Sequence, residues 1–181
     1  MGLSNKELSA NNLQLIWYNT IASVLWSVLA FTPVTWLCYN YLSHQLLYTF
    51  IAVSIVPAII PNSYLHKLEF KSTVIYKKLG VNVINDLAQN GSLINALIKR
   101  KYPAYQGVRY NRSSINRLIN QTYVNEKFHW CMFMFFIMVM VYALINALWL
   151  WAIFVLIANV FYNVYPNLLQ HYIRVKLKSF R

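Results

Sequence analysis

From Cys131 to Leu169 the chain carries no Asp, Glu, Lys or Arg. An uncharged apolar run of that length has few ways to fold. One membrane span needs roughly 20 apolar residues, and at about 1.5 Å per residue a single helix would far overshoot a ~30 Å hydrocarbon core. We read the run as two membrane helices, about 128–147 and 149–166, turning near Asn146. Two more uncharged blocks lie upstream, 21–42 (IASVLWSVLAFTPVTWLCYNYL) and 46–65 (LLYTFIAVSIVPAIIPNSYL), and predict two further spans. The composition agrees: 59% of residues are apolar and 11% charged, where soluble domains have about a quarter charged. The expected fold is an all-α integral membrane protein, a single domain over 1–181. Four transmembrane helices stand in two hairpins, with a cytosolic helical segment at 66–127 between them and a basic tail at 170–181.

The cations orient this arrangement independently. All 16 Lys and Arg fall in three places: Lys6, eleven between Lys67 and Lys127, and Arg174, Lys176, Lys178 and Arg181 in the tail. Four spans bring all three places to one side, and the turns near 43–45 and 146–149 hold none. The positive-inside rule makes the charged side cytoplasmic. The expected location is the cytoplasmic membrane, multi-pass, with both termini cytoplasmic. The first block has neither a strongly basic start nor a small-residue cleavage site, so it is read as a span rather than a leader. The net charge of +12 suits the lipid bilayer's anionic face or an anionic substrate. It does not suit nucleic acid, because the basic residues form no groove-tracking stripe. Cys38 and Cys131 have no metal-pair spacing and read as core thiols.

Residues 1–12 form a polar start lying on the surface. In the cytosolic segment the pattern predicts helical pieces at about 67–79, 83–99 and 113–127, with a loop at 102–110. Gly80 should stop the first piece. Pro103 should stop the second, which Gly91 can break. Ser113 or Ser114 should cap the third, whose Ile115, Leu118, Ile119 and Thr122 keep helical spacing.

The ionisable residues gather at the cytosolic span ends. His66 and Glu69 leave the second span, Glu126 and His129 enter the third, and His171 and Arg174 leave the fourth. Glu126 and His129 are three apart, on one helical face. A carboxylate beside an imidazole orients the ring and raises its basicity, as a general base requires. On the fourth span Asn163, Asn167, Gln170 and Arg174 stand at i, i+4, i+7 and i+11, and Asn159 extends this stripe a turn deeper. Facing lipid, such a row is costly, so it should face other helices or a polar cavity. Pro166 frees the Tyr162 carbonyl from its helical partner and predicts a kink.

Three motifs at these span ends resemble the glycosyl-diaponeurosporenoate acyltransferase family, the membrane acyltransferases of staphyloxanthin biosynthesis and their relatives. They are LEFKSTVIYKKLGV at 68–81, EKFHW at 126–130 and NVYPNLLQHYIRVKL at 163–177. The resemblance runs from about Pro61 to Leu177. The chain departs from the family pattern at His171, at Lys176, and at Ile84 and Asn85, where the family has Arg, Arg and a Trp-Lys pair. The resemblance implies transfer of a fatty acyl group to a hydroxyl of a lipid or glycolipid acceptor. The donor would be acyl-CoA or acyl carrier protein, and no cofactor is needed.

The residues fit that chemistry on their own terms. Acyl transfer needs a base, donors for the developing oxyanion and a grip on an anionic carrier. His129 is the expected base, oriented by Glu126. Asn163, Gln170 and Arg174 are the expected polar contacts to substrate, with Glu69, Asn167, His171 and Tyr172 beside them. Lys77, Lys78, Lys176 and the Lys99–Lys101 run could hold phosphates. No Gly-x-Ser-x-Gly elbow is present, so direct transfer is simpler than a serine acyl-enzyme. Two other readings use the same residues. In one, His66, Glu69, Glu126, His129 and His171 ligate a metal, although carboxylate-bridged bundles use more carboxylates and only Glu7 and Asp86 remain. In the other, the chain is a non-catalytic subunit that binds lipid or steadies an assembly.

Overall fold

The computed structural model describes residues 5–87, 96, 99–100 and 112–179, excepting the side chains of 5–15, 18, 19, 22, 87 and 112–114. The expected helix beyond Leu87, the Gly91 break, the loop at 102–110 and Lys101 lie outside the described residues. Within them the protein is helical throughout, with no strand. The elements are α1 (Asn5–Tyr41), α2 (His44–Ser54), a 3₁₀ turn (Val56–Ile59), α3 (Asn62–Lys67), α4 (Thr73–Lys78) and α5 (Val81–Leu87). After them come α6 (Arg112–Ile145), α7 (Trp149–Asn159), a π turn (Val160–Val164) and α8 (Tyr165–Lys178).

Among the described residues two helical stretches are long and apolar enough to cross a membrane, Ile115–Ile145 and Trp149–Lys178. Only 22% and 33% of their apolar windows are buried. The core helix of a soluble domain would be mostly covered, whereas here large side chains such as Trp149, Leu150, Ile153 and Phe154 stand exposed. A shorter apolar stretch runs over His44–Ile59.

Several expected boundaries shift. Helix α1 already runs from Asn5, so the polar start is continuous with the first apolar block. The second block does not form one helix. Pro57 and Pro61 lack N–H groups, the helix tightens into the 3₁₀ turn, and Ile60 and Pro61 are extended. The piece expected at 67–79 is interrupted: α3 ends at Lys67, and Ser72 caps α4 by accepting from the Val74 N–H at 3.2 Å. Gly80 stops α4 as expected, at φ +76°, where glycine costs least. The expected third cytosolic piece is part of α6, which starts at Arg112, so Ser113 and Ser114 lie inside the helix.

The two uncharged turns lie at the same end of the bundle, because the Tyr142 hydroxyl donates to the Tyr41 carbonyl. Ser43 caps α2 there. At the α6–α7 turn the Leu148 N–H bonds the Ala143 carbonyl at 2.8 Å and the Ala147 N–H bonds the Leu144 carbonyl at 3.1 Å. This is a Schellman stop with Ala147 in the left-handed position, at φ 57°. A Cβ is unfavourable there. Ala147→Gly should therefore stabilise the protein by about 1 kcal/mol, raising the thermal midpoint in nanodiscs by roughly 2–4 °C.

Packing divides into a deep core and a rim. In the deep core Ala30, Val34, Leu37, Cys38 and Leu42 of α1 meet Phe136, Val139 and Ala143 of α6 and Ala152 and Val155 of α7. Their spacing marks one face of each helix. At the rim, α8 is buried almost all round. Leu169 and Tyr172 pack on Tyr76 and Val81 of α4 and α5, and Leu177 packs on Ile115 and Ile119 of α6. The remaining face of α8, which is polar, turns toward α6.

A candidate active site at the α6–α8 rim

Helix α8 presents Asn167, His171, Arg174 and Lys178 at i, i+4, i+7 and i+11, one face of a helix. Helix α6 presents Thr122, Glu126 and Trp130 at four-residue spacing. Where these faces meet, Arg174 is wholly buried between two carboxylates. Its Nε donates to Glu69 Oε1 at 2.7 Å, one terminal N–H group donates to Glu126 Oε2, and the other reaches Thr122 Oγ1 at 3.3 Å. The guanidinium lies over the Tyr123 ring, 4.1 Å from its centroid. Glu69 also accepts from Lys178 Nζ at 2.9 Å and lies 3.0 Å from His66 Nδ1. Half of the chain's four acidic residues thus converge on one guanidinium.

The carboxylate of Glu126 has two further partners. Trp130 Nε1 donates to Oε1 at 3.3 Å, and His171 Nε2 lies 2.7 Å from the same oxygen. A carboxylate only accepts, so in the neutral ring His171 Nε2 carries the proton and Nδ1 keeps the lone pair. That Nδ1 is buried and has no partner within the protein. Among the described residues three more buried polar atoms share this condition: His129 Nδ1, Asn163 Oδ1 and Asn167 Oδ1. Native interiors leave few such groups unpaired. The orientation of Asn163 is fixed by a relay, since Asn159 Nδ2 donates to the Phe133 carbonyl and Asn163 Nδ2 donates to Asn159 Oδ1 at 2.8 Å. The free amide oxygen of Asn163 must therefore face away from Asn159. The π turn, closed by the Tyr165 N–H on the Val160 carbonyl, sets this register just ahead of Pro166. Such turns occur often at functional sites.

The expected partnership of Glu126 with His129 is not the one formed. Three residues along a helix put His129 a turn away, with its ring against Tyr162 at 5.7 Å between centroids and beside the Asn163 side chain. The imidazole on Glu126 comes from α8 instead. Arg174, expected to touch substrate, is enclosed by protein partners and fixes both carboxylates. Tyr172 faces the apolar side of α8, edge-on to Tyr76 at 6.2 Å. Asn163, Asn167, Gln170 and His171 are buried on the site side or beside it. Four members escaped the sequence reading. Lys178 and Trp130 were recoverable, standing four residues beyond Arg174 and Glu126. Tyr76 stood inside the 68–81 motif but was given no role there, and Tyr123 had no signal, because no spacing reveals how either segment packs on α8.

Tyr76 braces the site from α4. Its hydroxyl accepts from the Phe70 N–H at 2.8 Å, and its ring stands edge-on to His171. Burial pushes the Tyr76 hydroxyl up, so it stays neutral. Burial would also push the Glu69 carboxyl up, but the Lys178 ammonium and the Arg174 guanidinium hold it below the usual glutamate range. A depressed carboxyl stabilises the fold fully above its unfolded pKa of about 4.3, and the contribution fades as pH falls through the lower folded value. Thermal midpoints in nanodiscs should therefore be flat in this contribution from pH 7 to 5 and fall below about pH 4. In Glu69→Gln that acid limb should be shallower.

Among the described residues no three His, Cys, Asp or Glu side chains converge to hold a metal ion. Both rim carboxylates are committed to Arg174, so the alternative His/Glu ligand set does not assemble among the described residues. Glu126 stands about 28 Å along α6 from Ile145 at the uncharged turn, close to one hydrocarbon thickness. No curated protein and no solved structure matches the chain. A family model does match, over residues 61–181, and that range carries the buried ion cluster, the paired imidazole and the amide row. The chain belongs to the glycosyl-4,4'-diaponeurosporenoate acyltransferase family.

Proposed function

We propose that the protein is a membrane-embedded acyltransferase that moves a fatty acyl group from acyl-CoA or acyl carrier protein to a hydroxyl of a lipid or glycolipid acceptor. Four crossings in the cytoplasmic membrane, with both termini cytoplasmic, put the rim cluster under the inner leaflet's headgroups. The observation that carries this reading is the His171–Glu126 pair, with one ring nitrogen on a buried carboxylate and the other lacking a protein partner. That arrangement suits a general base. The acceptor hydroxyl gives its proton to His171 Nδ1, and its oxygen adds to the thioester carbonyl. The tetrahedral intermediate collapses with loss of the thiolate, which takes the proton from the imidazole. One C–O bond forms, one C–S bond breaks, and no cofactor or metal takes part.

The free atoms also suggest what the acceptor presents. Asn163 Oδ1, Asn167 Oδ1 and neutral His171 Nδ1 are all hydrogen-bond acceptors. A ligand with several hydroxyl donors would satisfy them, as a glycosyl headgroup of the kind in the family's name would. His129 stands at the deep end of the row and Gln170 beside it, as polar contacts to substrate. Glu69 and Arg174 hold Glu126 in place, and Tyr172 shapes the opposite wall. The test is a transfer assay with protein in nanodiscs, labelled acyl-CoA or acyl carrier protein, and a membrane lipid extract as acceptor pool. A new labelled, base-labile ester is expected. Absence of ester with both donors would overturn the reading.

A further inference from the structure

We propose that the groove between α3 and Trp130 of α6 cradles the chain of the acyl donor, an inference that rests on the transferase reading. The groove measures about 640 Å³, is lined chiefly by Ile60, Pro61, Leu65, Leu68 and Trp130, and has Lys67 among its lining residues. Its origin is the interrupted second apolar block. The 3₁₀ turn ends at Ile59, Ile60 and Pro61 run extended, and α3 sets off again at Asn62. Irregular backbone at membrane depth is tolerated where it is covered by protein or lines a cavity. The break opens the wall into which the Trp130 indole projects.

Three observations select the occupant. The first is continuity with the site. Trp130 walls the groove, and its Nε1 donates to Glu126 Oε1, the oxygen that holds His171. A chain lying in the groove therefore ends one side chain from the base, where a thioester carbonyl must sit. The second is surface chemistry and size. The lining is aliphatic and aromatic, and the volume falls within the roughly 300–1,000 Å³ usual for ligand pockets. The third is charge. Lys67 is the only charged residue among the described lining residues, with its ammonium 5.1 Å from the centroid of the Tyr64 ring, which also lines the groove. A cation there complements the phosphates of an acyl donor's carrier.

Two measurements test this. In the first, wild-type protein in phosphatidylcholine nanodiscs is irradiated with palmitoyl-CoA bearing a terminal diazirine, and the adducts are mapped. Adducts on residues 60–68 and Trp130 are expected, displaced by excess palmitoyl-CoA but not by free CoA. A diazirine phosphatidylcholine should label the apolar surface diffusely. Adducts elsewhere, or groove adducts that palmitoyl-CoA leaves in place, would overturn the proposal. This arm needs no turnover, so it can succeed or fail independently of acyl transfer. In the second, Ile60→Trp and the more exposed Leu68→Trp shorten the groove. Competition among C10 to C16 acyl donors should shift at least tenfold toward the shorter chains in both variants. An unchanged preference in variants that retain turnover would refute the assignment.

Discussion

His171→Gln should lower acyl transfer by about 10²–10⁴-fold, the range for loss of a positioned base. The Gln amide N–H can still reach Glu126, so the carboxylate keeps a donor and the fold should persist. Thermal midpoint and nanodisc insertion should therefore change little while product falls. The comparison that gives the test its force is His129→Gln. That ring lies a turn away from Glu126 and has no carboxylate on it, so its loss should weaken substrate contacts without removing the base. A drop of under tenfold is expected there. If the two variants exchange places, the base belongs to α6 and the pairing on α8 is structural. The effect should appear in kcat rather than KM, because a base acts on the transition state and not on ground-state binding.

Arg174→Met should be the most damaging single change to stability. The guanidinium is fully buried and bridges Glu69 and Glu126, so its removal strips each buried carboxylate of its shared cation and leaves Glu69 on Lys178 and Glu126 on His171. Breaking a buried pair costs about 3–5 kcal/mol, which for a chain of this size corresponds to roughly 10 °C in thermal midpoint. Arg174→Lys should recover only part of this, because one ammonium cannot bond both carboxylates and Thr122 with the geometry of a planar fork. The triple variant Arg174→Met, Glu69→Gln, Glu126→Gln isolates the cause. Removing the stranded charges should restore most of the midpoint, whereas loss through packing alone would leave the triple variant as unstable as the single one.

The parts of this molecule legible in the sequence are those governed by local rules. Uncharged length marked α6 and α7, the turns at Ser43 and Asn146 followed from where the apolar blocks end, and Gly80 stopped α4 for a conformational reason. The rim was legible as a population: Glu69, Glu126, His171 and Arg174 flank the apolar blocks because charge is absent from the blocks themselves. Their pairing was not legible. A regular wheel ties Glu126 to His129 on its own helix, since spacing along one element is all a sequence displays. The actual partner comes from α8, and the choice is made by Arg174, which draws Glu69 and Glu126 to the face carrying His171. The second apolar block misled for a related reason. Hydropathy counted its length, but Pro57 and Pro61 decided its shape.

The π turn at Val160–Val164 carries a consequence for how this chain can vary. A five-residue loop of backbone there does the work that four residues do elsewhere, so the stretch tolerates losing a codon as far as hydropathy is concerned. Such a deletion would convert the turn to ordinary helix and leave everything beyond it facing as before, whereas the same deletion inside α7 would rotate everything beyond it by about 100°. In the second case the imidazole and the guanidinium would turn away from Glu126 while every residue type stayed in place. Single-residue deletions at 160–164 should therefore preserve the Arg174–Glu126 pairing, and those at 149–159 should break it.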